Sequence, residues 1–349
     1  MQFLDALRGV AVLLVVLSHF GEGHSEFLRD LISSTFQFGQ AGVSLFFLIS
    51  GHIIPRSING ASSLGVFWGH RIMRLYPIYW VSIAVAVLMS AAGVFDLPKG
   101  AGSVDVLVNL TMLQGFVGVS NLIGVFWSLK FEMAFYALMT IFVFLGWNRW
   151  PSRIYAAWTT CILVIALASV LTPRLFPYGL FHVELMLLGW LLGEWHSGKG
   201  SVDSKTAFLG VLAGLVVATL CAYATFGVRI AAGVKGWPTF LPMVTAWISA
   251  MVVFMAALIF SNRMRAPGWL ARIGVISYSI YLLHCLALPL LAWLAGKVDW
   301  MLAAVVCLFI TVVVSEMTYR FVEKPAIDFG RKLLARRTES TVQVTPHAR

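Results

Sequence analysis

The chain has 349 residues, 60% of them hydrophobic and only 11% charged, with a formal net charge of +10. Its mean hydropathy is +0.87. A soluble domain carries about 25% charged residues, so the composition excludes a soluble globular enzyme. Apolar runs of about 18–20 residues recur from end to end, the mark of an all-α polytopic membrane protein. Cys161, Cys221, Cys285 and Cys307 lie inside apolar runs with no metal-ligand spacing, so no metal site is expected from them.

In chain order, about ten helices are predicted, at roughly 3–20, 37–54, 75–93, 124–146, 154–171, 179–195, 206–226, 240–260, 274–294 and 300–320. The first run is followed by no small-residue cleavage site and reads as an uncleaved span. It holds "ALRGVAVLLVVLSHF", opened by Arg8 and closed by His19. Eleven helical steps are about 16 Å of rise and return to nearly the same azimuth. Both groups therefore point the same way at two depths. In "HRIMRLYP", Arg71 and Arg74 precede a proline suited to open the third helix. Segment 94–123 is too short to span and reads as interfacial or re-entrant. Residues 1–326 form one integral-membrane domain. Residues 327–349 form a short basic tail expected to loosen beyond about residue 338.

Lysine and arginine set the orientation. With the N-terminus cytoplasmic, 18 of the 25 basic residues fall on the inner side and six on the outer, and Lys130 lies within the fourth helix. Both termini are thus expected in the cytoplasm. The net positive charge is an inner-face signal, and no nucleic-acid partner is inferred from it.

Ionisable groups within a bilayer are costly and are functional candidates by default. On a uniform rise of 1.5 Å per residue, His19, Glu132 and His284 are expected in one layer near the midplane. Arg8, His52, Arg71, Arg74, Glu316 and Arg320 gather in a lower one. Ser128, Glu132 and Tyr136 share one helix face, as do Ser277, Tyr281 and His284 on another. Glu316 and Arg320 are spaced to pair and read as structural. Adjacent guanidinium forks suit phosphate, although a basic pair beside a span is also an ordinary anchor on lipid headgroups. His52 and His182 read equally well as helix-packing residues. From the residues alone, a base pair of His19 with Glu132 stands beside a purely structural role for both.

The same residues resemble the membrane acyltransferase-3 family. "FLDALRGVAVLLVVLSH" matches its R-x10-H at Arg8 and His19, and "GVSLFFLISGHII" is similar to its second helix. "HRIMRLYPIYW" resembles R-x-x-R-x-x-P, "FWSLKFEMAFY" resembles WSL-x-x-E-x-x-FY, and "ISYSIYLLHC" resembles SYS-x-YL-x-H. "YRFVEKPA" is similar to the closing YR-x-x-E-x-P. The six matches are in order and span residues 3–326. Two positions depart from the pattern. His52 stands where phenylalanine is usual, and Lys130 where a small polar residue is common.

The resemblance implies transfer of an acyl group, commonly acetyl, from acyl-CoA to a carbohydrate hydroxyl. Acyl-CoA is then a co-substrate, with no bound cofactor expected. The resemblance makes His19 and Arg8 the essential residues and gives Arg71 and Arg74 a donor-binding role. Joined to the reading of the residues, His19 and Glu132 are the expected catalytic pair, and Arg8, Arg71 and Arg74 the donor-binding set. Trp127, Ser128, Tyr136, Tyr281 and His284 are expected to line the site on the acceptor side. Two roles stay open to His19: general base towards the hydroxyl, or acceptor of the acyl group as a relay. The chain is expected to act without the hydrolase-like extracytoplasmic domain that some members carry. The expected setting is a bacterial-type inner membrane, with a carbohydrate or glycolipid acceptor. A transporter or flippase of a glycolipid or small solute is the alternative, since midplane polar residues serve that function too.

Overall fold

The computed structural model describes residues 2–171, 177–198, 201–227, 240–263 and 265–343, and no strand occurs among them. All ten predicted spans are helical. They are α1 (Gln2–Glu22), α3 (Phe38–Asn59), α4 (Leu64–Ala91), α6 (Trp127–Phe144), α7 (Pro151–Leu171), α8 (Gly179–Ser197), α9 (Ser204–Ala222), α10 (Phe240–Phe260), the α12–α13 pair (Ser277–Leu283 and Leu288–Ala295) and α14 (Trp300–Thr318). Nine spans among the described residues are long and apolar enough to cross a membrane. The tenth, α8, carries His182, Glu184, Glu194 and His196, and every residue from Phe181 to Gly193 is buried. Its neighbours are helices, so it needs no apolar face for lipid.

Several elements differ from expectation. A short helix, α2 (Glu26–Ser34), follows α1 and is capped by the Ser25 hydroxyl, which accepts from the Leu28 N–H. Helix α4 starts at Leu64, where Ser63 caps it, rather than near residue 75. Its 28 residues make about 42 Å of helix. Arg71 and Arg74 therefore lie inside it, and Pro77 is an interior residue that removes one backbone donor without ending the helix. The predicted span 274–294 is broken. Helix α11 (Gly268–Val275) precedes it, and the turn His284–Ala287 tightens to a 3-10 helix between α12 and α13. Beyond α14 a π-helical turn (Tyr319–Glu323) leads into α15 (Lys324–Gln343), so the basic tail is helical past residue 338. Residues 344–349 lie outside the described residues.

The chain divides into two compact units, Met1–Pro55 with Phe131–Ser277 and Leu294–Ala304, and Arg56–Lys130 with Tyr278–Trp293 and Val305–Arg349. In unit one, α3 and α8 meet through reciprocal glycines. A Cβ on Gly51 would lie 1.8 Å from the Met186 carbonyl oxygen, and one on Gly189 would lie 2.1 Å from that of Leu48. With no water to squeeze out in a bilayer, such close backbone contact is what holds helices together. Phe181 of α8 packs on Trp247 of α10, ring centroids 4.3 Å apart, and the Tyr155 hydroxyl of α7 donates to the Gly210 carbonyl of α9.

Unit two is built on α4. The segment after it holds a helix, α5 (Ser103–Leu110), and then a loop. Tyr79 donates its hydroxyl to the Asn109 carbonyl, the Trp80 indole donates to Leu110, and the Tyr76 hydroxyl donates to Thr111. These donors lie 11 to 15 residues before Ala91, about 16–22 Å down α4 from its end. The segment therefore folds back along α4 rather than lying at its end, as the re-entrant reading expects. Asn109, fully buried, donates to the Asp105 and Ser120 carbonyls and accepts from the Leu122 N–H, tying both limbs together.

Candidate active site

In unit one, His19 lies in the last turn of α1 and is partly buried. Its Nδ1 is 2.9 Å from the Val15 carbonyl oxygen, one turn back. A carbonyl only accepts, so Nδ1 carries the proton and Nε2 presents the lone pair. This is the tautomer a general base needs. The carboxylate expected to orient the ring is therefore not required at Nδ1; the helix backbone does that work. Glu132 instead accepts a short hydrogen bond from the Tyr136 hydroxyl, one turn along the same face of α6. Tyr136 is 1% exposed and Glu132 partly buried.

The two side chains start at different heights. Ser18, beside His19, lies against Gly39 of α3, whereas Phe131, beside Glu132, packs on Phe47, ring centroids 6.2 Å apart. Eight residues of α3 separate those contacts, about 12 Å. Side chains lean towards the N-terminus of their own helix. His19 on α1 and Glu132 on α6 therefore lean towards each other and narrow the offset. The one shared layer expected for them is thus, at the backbone, two heights along α3.

Arg8 is mostly buried and faces Asp5 at a loose 3.9 Å. His52, 2% exposed, packs its ring against those of His196 and Phe254, both centroids 6.0 Å away. His182 is fully buried against Phe47, Phe131 and Tyr178. Sequence reasoning passed over Glu184, 1% exposed, which accepts from the Thr159 hydroxyl at 2.9 Å. An acid inside an apolar helix was the available signal, the same one that singled out Glu132.

In unit two, Arg71 is buried. It donates to the Ser57 hydroxyl, and its guanidinium lies 5.4 Å from the centre of the Phe67 ring. Arg74 is half-buried and meets no carboxylate or hydrogen-bond acceptor among the described residues. The Tyr281 hydroxyl donates to the Val125 carbonyl at 2.9 Å, and the Ser128 hydroxyl lies 2.7 Å from the Tyr281 oxygen. These bonds brace α12 against the start of α6, which carries half-buried Trp127. One turn further on, His284 is fully buried and its Nδ1 faces the Ile280 carbonyl at 3.1 Å. It has the same tautomer as His19 for the same reason. Lys130 lays its chain along Gly115 and sets its ammonium 5.4 Å over the Phe116 ring. Glu316 and Arg320 form an ion pair. A further carboxylate, Glu323 of the "YRFVEKPA" stretch, is 2% exposed and accepts from the Ser279 hydroxyl at 3.0 Å. The motif contained it, but no role had been attached.

The helices and their apolar spans define the class, an all-α polytopic membrane protein. The family is then direct: residues 1–320 match the model described as "Acyltransferase domain", and the chain belongs to that family. It is a membrane-bound O-acyltransferase, which sets the transport reading aside. It is 25% identical to nodulation protein 10 of Rhizobium leguminosarum bv. viciae over 95% of each chain. It is 29% identical to the exopolysaccharide production protein ExoZ of Rhizobium meliloti, over 85% of this chain and 92% of that one. With the peptidoglycan O-acetyltransferase OatA of Listeria monocytogenes it shares 26% identity, over 92% of this chain and 55% of that one. No solved structure matches it.

Proposed function

We propose that the protein transfers an acyl group, acetyl in the simplest case, from acyl-CoA to a hydroxyl of a cell-surface or exported carbohydrate, with His19 as the catalytic base. The observation that carries this is the His19 Nδ1 contact to Val15, which leaves Nε2 as the basic nitrogen in the R-x10-H motif. The names of the relatives, which concern exopolysaccharide production and peptidoglycan O-acetylation, support a carbohydrate acceptor. Nε2 takes the hydroxyl proton as the oxygen attacks the thioester carbon, and CoA leaves as the thiol. Glu132, held by Tyr136, balances the charge of the imidazolium that forms. Arg74 and Arg71, with Arg8, hold the phosphates of the nucleotide by charge-assisted hydrogen bonds. The half-buried Arg74, with no protein counter-ion among the described residues, is the strongest support for that role. Trp127, Tyr281 and His284 line the acceptor side.

Residues 1–326 are the catalytic membrane domain, in the inner membrane of a bacterial-type cell, with both termini and the basic tail 327–349 cytoplasmic. The test is release of CoA from acetyl-CoA by protein in lipid nanodiscs, with and without exopolysaccharide. Mass spectrometry of surface glycans from a deletion strain runs beside it. Acceptor-dependent release and lost acetyl esters are expected. Unchanged glycans with no CoA release would remove the proposal.

A further inference from the structure

One nucleophile in unit two has no part in that reaction. The Cys285 sulfur lies 3.5 Å from Nε2 of His284, and both side chains are buried. Because the His284 Nδ1 faces the Ile280 carbonyl, Nε2 carries the lone pair, and the thiol donates its proton towards it. Sequence neighbours on a helix do not normally face each other. Here the tightened turn His284–Ala287 ends α12 and sets thiol and imidazole side by side. All four cysteines are free. Cys161, Cys221 and Cys307 have no imidazole against them among the described residues. A nucleophile within reach of a base that is itself held by a third group is the general arrangement of covalent catalysis.

We infer that Cys285 carries the acyl group from donor to acceptor as a thioester, with His284 as its base. The inference rests on the acyl-transfer reading above and adds an intermediate to it. In the first step the Cys285 sulfur bonds to the acyl carbon as its proton passes to His284. The bond from that carbon to the CoA sulfur breaks, and CoA leaves as a thiol with the proton from His284. In the second step the acceptor oxygen bonds to the acyl carbon and the Cys285 sulfur departs. The proton given up by the hydroxyl ends on that sulfur. One thioester replaces another in the first step, and an oxygen ester forms in the second, so no oxidant or further reactant is needed. Donor and acceptor need never occupy the site together.

The test uses the full chain in nanodiscs with radiolabelled acetyl-CoA and no acceptor. About one label per chain is expected on the protein, removed by neutral hydroxylamine, with a burst of CoA equal to the enzyme present. Cys285→Ala should lose label and burst, with transfer at least about 100-fold lower. Cys285→Ser should carry its label as an oxygen ester that resists neutral hydroxylamine. His284→Gln should slow the burst at least about tenfold. A folded Cys285→Ala protein that transfers at the wild-type rate overturns the inference, as does an unlabelled wild type that still transfers. No CoA release by wild type with any acceptor overturns the acyl-transfer reading itself, and the intermediate with it.

Discussion

In unit one, His19 sits near the end of an unbroken 21-residue helix, whereas in unit two His284 sits where a helix changes pitch. Both rings are held in the same tautomer by the carbonyl one turn back. Around His19 the helices are continuous, and α3 and α8 press backbone to backbone. In unit two the irregular turns coincide with the polar side chains: 3-10 turns at Gly124–Phe126 and His284–Ala287, and a π turn at Tyr319–Glu323. The difference teaches that a tautomer can be set by any helix, whereas setting a thiol beside the imidazole that precedes it in sequence takes a change of pitch.

The largest effect should come from spoiling the continuous packing. In Gly189→Leu the first side-chain carbon meets the Leu48 carbonyl, and no folded protein is expected after detergent extraction, read by size-exclusion chromatography. His19→Ala should leave folding intact and reduce transfer by about 10²–10⁴-fold, the usual loss for a general base. A variant without imidazole that keeps more than about a tenth of the activity would take His19 out of the chemistry. Arg74→Ala should raise the donor Michaelis constant by about 10–100-fold, since a charge-assisted hydrogen bond contributes about 1.5–3 kcal/mol. Lysine should rescue only part of it, and an acyl-pantetheine donor without the nucleotide should be indifferent. Equal losses with both donors would reassign Arg74 to lipid anchoring. Glu132→Gln should slow turnover by about tenfold, or ~1.4 kcal/mol of transition-state charge balance, with donor affinity kept. A matching loss of affinity would make it a binding residue. Smallest in activity, Tyr79→Phe should leave turnover unchanged while destabilising unit two by about 1–3 kcal/mol through the orphaned Asn109 carbonyl, read as a lower melting temperature.

The ten spans were legible because each is a long apolar run, and even α8, rich in ionisable groups, kept enough leucine to show. The start of α4 was not, because "GHRIMRLYP" puts two arginines and a proline where a membrane boundary is expected, and nothing local says that helix continues through all three. The break at His284 was hidden by "YLLHCLALPLL", where uniform hydrophobicity conceals a change of pitch. Depth was misjudged for a related reason. Counting rise from the outer edge assumes that each helix begins there, yet the ring of Phe126, just before α6, lies 4.6 Å from that of Tyr79, twelve residues below the end of α4. The candidate residues themselves were readable as polar groups in apolar company. Which nitrogen of each histidine is basic was not, since that depends on a backbone contact.

The hydrogen bonds from Tyr76, Tyr79 and Trp80 to residues 109–111 also bear on how the chain is made. A loop carbonyl in hydrocarbon has no solvent to turn to, so these three become tolerable only against a wall of donors already in place. Helix α4 emerges from the ribosome first and supplies that wall. The stretch between α4 and α6 would then fold back against α4 after α4 has crossed and as α6 arrives to close it off. Biogenesis thus has a built-in order, with the longest helix of unit two acting as the template on which the folded-back segment is received.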